Sequence, residues 1–292
     1  MQECYVVEIV TPKKVVLNGL WFGPKKATRC IVWIHGLGGS VFSNRKYLSK
    51  IVDHRTAVLT FNNRGHGIIN GIKYKIGRHG KYGYGRYGGE AHEVFTDSFD
   101  DVEGAVQFAR RNGAKKIFVG GSSTGSQKTM YWASRTKNLR NVTGLILAVP
   151  LSDYASILHF KGKEKTLRAL RIARTLVKNK KKHSLLPQGV WHQPFDAQRF
   201  LSLYSGKGPE EIFTYWNENR TPKILQKIKK PTLVLLAGSD EYSDRPIGDI
   251  KKWFEKNIKA PVNVTIVPHT GHSFRGAEVK VVRIIRRWIK GL

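Results

Sequence analysis

Short apolar runs alternate with longer amphipathic stretches along the 292 residues of this chain, and this alternation limits the folds that the chain can adopt. Gly, Pro, Asn or Asp bounds the runs, as is typical of strands. The runs are CYVVEIV, VVLNGLWFG, IVWIH, AVLTFNN, KIFVGG, GLILAVP, TLVLLAG and VNVTIV. Helices between such strands cover both faces of a mainly parallel sheet. We therefore predict an α/β fold with about eight strands in its central sheet.

Two of the amphipathic stretches have clear helical periodicity. The stretch FTDSFDDVEGAVQFARR has acidic residues early and arginines at its end, an order that complements the helix dipole. The stretch 276–290 predicts a helix that buries Val279, Val282, Ile285 and Ile289 and leaves its arginines in solvent.

The region 151–222 interrupts the alternation of strands and helices. It contains the basic segment KEKTLRALRIARTLVKNKKK, whose apolar stripe is typical of a docked helix with its lysines in water. The aromatic residues that follow it are Trp191, Phe195, Phe200, Tyr204, Phe213, Tyr215 and Trp216. These aromatics either pack against one another or line a pocket. We predict that residues 1–150 and 223–292 form the core and that residues 151–222 form a helical cap.

A formal net charge of +30 would suit a nucleic-acid-binding protein if the basic residues were clustered. The region 151–222 has 13 Lys and Arg against 6 Asp and Glu, and the rest of the chain has 38 against 15, so the charge density is even. An even density is more typical of a solubility bias than of a binding surface. We therefore predict no specific nucleic-acid partner, and we expect the charge to favour an anionic substrate.

The cysteine content and the apolar runs bear on location. Cys4 and Cys30 are the only two cysteines and have no CxxC spacing, so the sequence encodes neither a disulfide framework nor a cysteine zinc site. The first ten residues lack a basic segment ahead of an apolar stretch, and no apolar run reaches about 18 residues. These features predict a cytoplasmic protein without membrane insertion.

The segment GRHGKYGYGRYGG at 77–89 mixes glycine, tyrosine and basic residues. Such mixtures occur in RNA-binding segments, where aromatic faces stack on bases. One short copy is a weak signal, so the favoured interpretation is a mobile loop beside the active face.

The segment GGSSTGS contains three serines, of which only Ser123 has glycines two positions before and two positions after it. This GxSxG spacing is typical of a sharp turn from a strand into a helix, in which a strained backbone presents the serine hydroxyl. A serine hydroxyl needs a base to attack a carbonyl, and the base needs a carboxylate to orient it. Both follow: Asp240 comes just after TLVLLAG and His272 just after VNVTIV. The order Ser, Asp, His predicts a catalytic triad.

Three other residues compete for these roles. We predict that Asp244 caps the helix that begins near Pro246 and that Asp153 caps a turn into region 151–222. His269 forms HxxH with His272, but no glutamate stands beside the pair and no third ligand lies nearby. We therefore predict no metal site.

The glycine-rich segment HGLGGS at 35–40 follows a predicted strand. An oxyanion must be met by preorganised N–H donors, and we predict that the amides of Leu37 and Thr124 supply them, the second at the start of a helix. His35 is interpreted as a structural hydrogen-bonding residue. The segment lacks GxGxxG and the GK[ST] ending of a phosphate loop, so we predict no nucleotide cofactor.

With HGLGGS, FNNRGHG, GSSTG, the SDE after the acid-bearing strand, and TGHSF in order, the sequence resembles the α/β-hydrolase superfamily over almost its whole length. GGEAHEVFTDSFDDVEGAVQFA, AVPLSDY and GSDEY are similar to a branch that includes fungal siderophore-esterase-like hydrolases. The resemblance implies ester hydrolysis by a serine triad, no cofactor, and a cap over the pocket. Most relatives have GHSTG at the nucleophile, where this chain has Ser122 in place of the histidine.

These features together predict a serine hydrolase that cleaves small to medium, partly apolar carboxylic esters. The same triad would also serve an acyltransferase, a thioesterase or a lactonase. A non-catalytic protein that binds anions on a hydrolase scaffold is the alternative outside enzymology.

Overall fold

The chain forms a central β-sheet with helices on both faces, and a computed structural model describes residues 3–77 and 81–292. The strands are β1 Cys4–Val10, β2 Val16–Phe22, β3 Arg29–Ile34, β4 Thr56–Phe61, β5 Asn70–Ile76, β6 Lys81–Gly88, β7 Lys116–Ser122, β8 Val142–Ala148, β9 Thr232–Ala237 and β10 Val262–Val267. The α-helices are α1 Arg45–Ile51, α2 Ser98–Arg111, α3 Thr124–Ala133, α4 Asp153–Lys161, α5 Lys163–Lys178, α6 Ala197–Tyr204, α7 Lys223–Lys227, α8 Ile247–Asn257 and α9 Glu278–Lys290.

Eight strands form the central sheet in the order β1-β2-β4-β3-β7-β8-β9-β10. The pairs β1/β2 and β2/β4 are antiparallel, and the remaining pairs are parallel. The prediction of a mainly parallel sheet of about eight strands is therefore confirmed. Parallel strands run in the same direction, so the loops that follow β3, β7, β8, β9 and β10 meet at one edge of the sheet.

Alternate residues of the central strands enter two separate apolar cores. In β8, Leu145 and Leu147 pack in the core on one face, while Ile146 and Ala148 pack in the core on the other. Helices α2, α3 and α8 contribute to the first core, and α1 and α9 contribute to the second. Because both faces are covered, the strands are continuous apolar runs rather than alternating ones.

The last helix differs from its prediction in two respects. Val282, Ile285 and Ile289 are buried as predicted, but Val279 is 62% exposed and Val281 is buried instead. Helix α9 begins only at Glu278, so Val279 lies on the outer side of its first turn. The predicted solvent exposure of all its arginines is also wrong, because Arg286 donates hydrogen bonds to backbone carbonyls at the end of α1.

Much of the segment predicted to be a mobile loop is a strand. Within 77–89, β6 pairs with β5 in an antiparallel hairpin, and residues 78–80 lie outside the described residues. The alternation of tyrosine with glycine produces the strand, since Gly83 and Gly85 leave room for the side chains of Ile76 and Tyr74. The loop prediction was wrong because it followed the glycine and tyrosine composition and not the period of two, which is that of a strand.

The region 151–222 contains α4, α5 and α6 and a third apolar cluster of its own. The ring centroids of Phe200 and Tyr204 lie 5.1 Å apart, and Trp191 and Phe195 pack against the same two rings. Val177, at the end of the predicted apolar stripe of α5, is 38% exposed. Most of the aromatics that follow α5 thus pack internally.

Buried ion pairs join this region to the core. Arg199 of α6 lies 2.6 Å from a carboxylate oxygen of Glu210 and 2.9 Å from one of Glu93. The ammonium of Lys128, on α3, lies 2.6 Å from the second oxygen of Glu93. All four side chains are almost fully buried, so each charge depends on the others for compensation.

No helix in the described ranges has both the length and the apolar character that crossing a membrane requires.

Candidate active site

A sharp turn joins β7 to α3, and Ser123 occupies it with φ 54° and ψ −126°. A positive φ is strained for a residue with a side chain. The flanking glycines give the turn its space, because a Cβ on Gly125 would overlap the carbonyl oxygen of Ile34 and a Cβ on Gly121 would overlap the backbone of Gly125. The GxSxG spacing therefore meets a steric requirement of this turn.

The other two serines of this segment have their hydroxyls engaged. Ser122 donates a hydrogen bond of 2.7 Å to the Oδ1 of Asn44. Ser126 is fully buried and donates to the carbonyl oxygen of Gly121 at 2.9 Å. Ser122 and Ser123 both line a cavity at the carboxyl edge of the sheet, but within the described residues only the hydroxyl of Ser123 lacks a hydrogen-bond partner among the three serines.

Asp240 and His272, from the loops after β9 and β10, form a hydrogen-bonded pair. The Nδ1 of His272 lies 2.8 Å from the Oδ2 of Asp240, whose residue is 7% exposed. The backbone N–H of His272 donates to the carboxylate of Glu241 at 2.8 Å, and the ring of Tyr242 packs edge-on against the imidazole with centroids 5.0 Å apart. These contacts fix the imidazole and leave its Nε2 available for another partner.

Ser123 and His272 line the same cavity, which has a volume of about 450 Å³. Its apolar lining is formed by Leu37, Val149, Leu151, Ile157, Phe160, Tyr204 and Tyr242. Its charged and amide-bearing lining is formed by Asn44, Glu90, Asp153, Lys161, His192 and Gln193. A cavity of this size and character suits a small organic molecule.

The predicted oxyanion donors belong to the loop after β3 and to the start of α3. Leu37 lines the cavity, and Thr124 is buried as the first residue of α3. Gly38 has φ 60°, and the carboxylate of Glu90 occupies the space that a Cβ there would need. Within the described residues neither the Leu37 amide nor the Thr124 amide donates to another group, so both are free to donate to a ligand.

His35 has the structural role predicted for it. It is 2% exposed, its Nδ1 donates to the carbonyl of Gly36 at 2.8 Å, and its Nε2 accepts from the backbone N–H of Asn63 at 3.3 Å. Burial, with the nearby charge of Lys128, lowers the pKa of His35 to about 3. The imidazole is therefore neutral and shapes the turn that precedes Leu37.

The predicted capping roles of the two competing acids are wrong. Helix α8 has Pro246 at its N-cap with no side-chain hydrogen bond, and Asp244 instead pairs with Arg245 at 2.8 Å. Helix α4 is capped by Ser152, whose hydroxyl accepts the amide of Ala155. Asp153 is the first residue of that helix and lines the cavity, and its carboxylate accepts a hydrogen bond of 2.6 Å from the side-chain amide of Gln127.

His269 lies in the loop before His272 in a left-handed conformation with φ 57° and is exposed. Among residues 3–77 and 81–292, no three His, Cys, Asp or Glu side chains lie close enough together to bind a metal ion.

Sequence reasoning did not find Glu90 or the strained Val149, and it gave Asp153 a capping role instead of a place on the cavity wall. Val149 lines the cavity with φ 46°, which is unusual for a β-branched side chain. Val149 and Asp153 both follow β8, so the rule that sites lie beyond the carboxyl ends of strands was the available signal for them. Glu90 lies far from any such strand end in the sequence and gave no comparable signal.

A sequence family described as "Protein of unknown function (DUF1749)" matches residues 25–287. No curated protein sequence matches the chain.

Solved structures of α/β-hydrolases have the same fold over almost the whole chain. A siderophore hydrolase from Aspergillus fumigatus is 15% identical with a TM-score of 0.69, over 98% of this chain and 96% of the other. A soluble variant of monoglyceride lipase from Saccharomyces cerevisiae is 14% identical with a TM-score of 0.66, over 94% and 91%. An esterase from Pyrococcus furiosus is 19% identical with a TM-score of 0.59, over 99% and 90%. These likenesses establish the α/β-hydrolase fold.

Proposed function

We propose that this chain, which belongs to the family of proteins of unknown function DUF1749, is a serine hydrolase that cleaves carboxylic esters through an acyl-enzyme. One observation supports this most: the strained Ser123 and the imidazole of His272, itself paired with Asp240, line one cavity. A nucleophile, a base and an orienting carboxylate in this arrangement are suited to acyl transfer.

In the first step, the Ser123 oxygen attacks the ester carbonyl while its proton passes to the Nε2 of His272. Asp240 accepts the Nδ1–H of His272, which keeps the basic lone pair on Nε2 and stabilises the imidazolium that forms. The tetrahedral oxyanion then lies between the amides of Leu37 and Thr124. Donors fixed in place before the reaction stabilise this charge without reorganisation.

The second step releases the alcohol, which takes the proton from Nε2 as the bond between the carbonyl carbon and its oxygen breaks. Water then attacks the acyl-enzyme with His272 again acting as the base, and the acid leaves as Ser123 recovers its proton. The chemistry uses no group beyond these side chains, backbone amides and water.

The region 151–222 is proposed to act as a cap that shapes the substrate pocket. It contributes Ile157 and Phe160 of α4 and Tyr204 of α6 to the cavity lining, together with the loop residues His192 and Gln193. The similar solved proteins are named as a siderophore hydrolase, a monoglyceride lipase and an esterase, and these names favour an ester of small to medium size. A cytoplasmic location is part of the same proposal and agrees with the two free cysteines.

Trapping the intermediate tests the proposal. The protein is mixed with a nitrophenyl ester, quenched in acid during the first turnover, digested, and analysed by mass spectrometry. An acyl group on the peptide that contains Ser123 is expected. Addition of an alcohol acceptor should yield mainly free acid, since transfer to the acceptor as the main product would indicate an acyltransferase. Release of nitrophenol without acylation of Ser123 would contradict the proposal.

A further inference from the structure

The wall of the cavity is acidic although the chain as a whole carries a net charge of +30. Glu90, from the segment before α2, and Asp153, at the start of α4, both line the cavity that contains Ser123. Tyr204 of α6 lines it as well. Burial, followed by the charge of Asp153 and a smaller contribution from Glu90, raises the pKa of the Tyr204 phenol.

Only neutral groups donate to these two carboxyls. The amide of Gln127 donates to Asp153 at 2.6 Å, and the amide of Gln193 donates to Glu90 at 3.3 Å. Within the described residues neither carboxyl forms an ion pair with a lysine, an arginine or a histidine. The nearest buried cations are committed elsewhere, because Arg199 pairs with Glu93 and Glu210, and Lys128 also pairs with Glu93.

The charge of Arg199 compensates Glu90 and Asp153 only in part, so the pKa of each carboxyl is raised. Burial raises the pKa of Glu90, and burial together with the neighbouring Glu210 and Glu211 raises the pKa of Asp153 well above its ordinary value. A positive charge bound beside either carboxyl would favour its charged form.

A second, independent observation is an unused hydroxyl on the same wall. Ser156 lies one turn after Asp153 on α4, so both project from the same face of the helix, and both line the cavity. In the described part of the chain the Ser156 oxygen is buried and has no hydrogen-bond partner. Such an oxygen gains free energy when a ligand supplies a donor.

We propose that Glu90, Asp153 and Ser156 form a subsite that binds the ammonium group of an amine-bearing ester. This inference rests on the proposed function and specifies its substrate class. The two carboxylates accept the N–H donors and compensate the charge, Ser156 accepts a further N–H, and the ring of Tyr204 provides an aromatic surface for the cation. Net charge alone predicted an anionic substrate. The proposed subsite instead predicts a preference for a cationic one.

Lys161 and His192 also line the cavity, so their charges bear on the proposal. Lys161 lies over the ring of Phe160, with its ammonium 4.6 Å from the ring centroid. His192 is neutral at neutral pH, because burial and the charges of Lys161 and Lys165 lower its pKa. Lys161 is thus the cationic residue of this lining, and a substrate carboxylate would pair with it.

Matched esters test the subsite on either side of the scissile bond. On the acyl side, methyl 6-aminohexanoate is compared with methyl heptanoate and with monomethyl heptanedioate, which replace the ammonium by a methyl group and by a carboxylate. On the alcohol side, 5-aminopentyl butyrate is compared with hexyl butyrate. We expect kcat/KM for the amine to exceed that of its alkyl counterpart by about tenfold or more in at least one pair. A preference for the alkyl or anionic ester in every comparison would overturn the proposal.

Variants then locate the preference. Asp153→Asn and Glu90→Gln keep the size of each side chain and remove its charge, so each should lower the ratio of amine to alkyl kcat/KM by about tenfold. Asp249→Asn, at an exposed position of α8, makes the same change in net charge and should leave the ratio as it is. If neither Asp153→Asn nor Glu90→Gln lowers this ratio, the subsite is excluded. The same holds if Asp249→Asn lowers the ratio equally.

Direct binding separates this proposal from the proposed function. Calorimetric titration with hexylammonium and with 1-hexanol requires no turnover. Binding of hexylammonium that Asp153→Asn weakens about tenfold would support the subsite even if no ester were cleaved, in which case only the hydrolase proposal would fail. Ester cleavage without selective binding of hexylammonium to the wild-type protein would instead overturn the subsite alone.

Discussion

The turn at Ser123 and the region 151–222 line the same cavity, but different constraints fix them. The turn depends on close backbone contacts, because the glycines at 121 and 125 allow close approach to Ile34 at the end of β3. The region 151–222 has its own apolar cluster and is joined to the core by Arg199 and its carboxylate partners. The first constraint is steric, whereas the second combines the buried ion pair between Arg199 and Glu93 with apolar packing of residues such as Phe213 in the core beside the sheet.

This difference assigns separate contributions to the two regions. In the proposed mechanism the sheet edge provides the groups that act on the ester bond, since Ser123, Asp240 and His272 follow β7, β9 and β10. The region 151–222 provides Asp153, Ser156 and Tyr204, which lie where the rest of a substrate would bind. Changes at the sheet edge should therefore affect turnover of every ester, and changes in the region 151–222 should affect stability and choice of ester.

The largest effect is expected at the sheet edge. Ser123→Ala and His272→Ala should each lower kcat for a nitrophenyl ester by at least about a thousandfold, because the triad acts as a unit, and both proteins should remain folded. Steady-state kinetics and circular dichroism measure the two quantities. Ser122→Ala is the matched control, and its kcat should stay within about tenfold of the wild-type value because its hydroxyl is bonded to Asn44. Equal losses of kcat in Ser122→Ala and Ser123→Ala would contradict the assignment of Ser123, and not Ser122, as the nucleophile.

The next effect concerns the ionic connection between the two regions. Arg199→Met should lower the free energy of unfolding by about 3–5 kcal/mol, because Glu93 and Glu210 would lose a buried counter-charge. Urea denaturation measures the change. A loss below about 1 kcal/mol would show that packing, rather than these ion pairs, holds the region 151–222 on the core.

A third effect depends on pH and arises beside the oxyanion turn. The pKa of His35 is about 3 in the folded protein and about 6.5 in the unfolded chain, so below pH 6.5 the unfolded chain binds a proton that the folded protein does not. As the pH falls below 6.5, this difference in proton binding should lower the free energy of unfolding by about 1.4 kcal/mol per pH unit. The loss at pH 5 should amount to about 2 kcal/mol. In His35→Asn this part of the slope between pH 6.5 and 5 should vanish, and equal slopes in both proteins would contradict the assignment.

The smallest effect is expected on the surface and serves as a reference for Arg199. Lys251 and Glu255 of α8 form a partly exposed pair one turn apart. Lys251→Met should change the free energy of unfolding by no more than about 0.5 kcal/mol, because solvent screens this pair. A change as large as that of Arg199→Met would mean that the buried and the partly exposed ion pairs contribute equally to the free energy of unfolding.

The sequence predicted the elements whose rules are local or topological. The eight strands, the turn at Ser123 and the proximity of Asp240 to His272 follow from apolar runs, glycine spacing and the common edge of parallel strands. The catalytic roles of these residues stay predictions. The hairpin β5/β6 was missed because its glycine and tyrosine composition resembles that of flexible segments, although its period is that of a strand.

Other features could not be predicted because they join residues that are far apart in the sequence. The pairing of Arg199 with Glu93 depends on how α6 packs against the core, and no local pattern specifies that packing. The same holds for Glu90 and Asp153, which approach one cavity from different segments. The net charge of +30 therefore gave no indication that these two acidic residues line the cavity.

Labelling with a fluorophosphonate probe, followed by mass spectrometry of the digested protein, tests most directly whether Ser123 and His272 act together. The account predicts a single adduct on Ser123 and a labelling rate that falls at least about a hundredfold in His272→Ala, since the imidazole removes the hydroxyl proton during attack. An adduct on another residue, or equally fast labelling of Ser123 without His272, would contradict it.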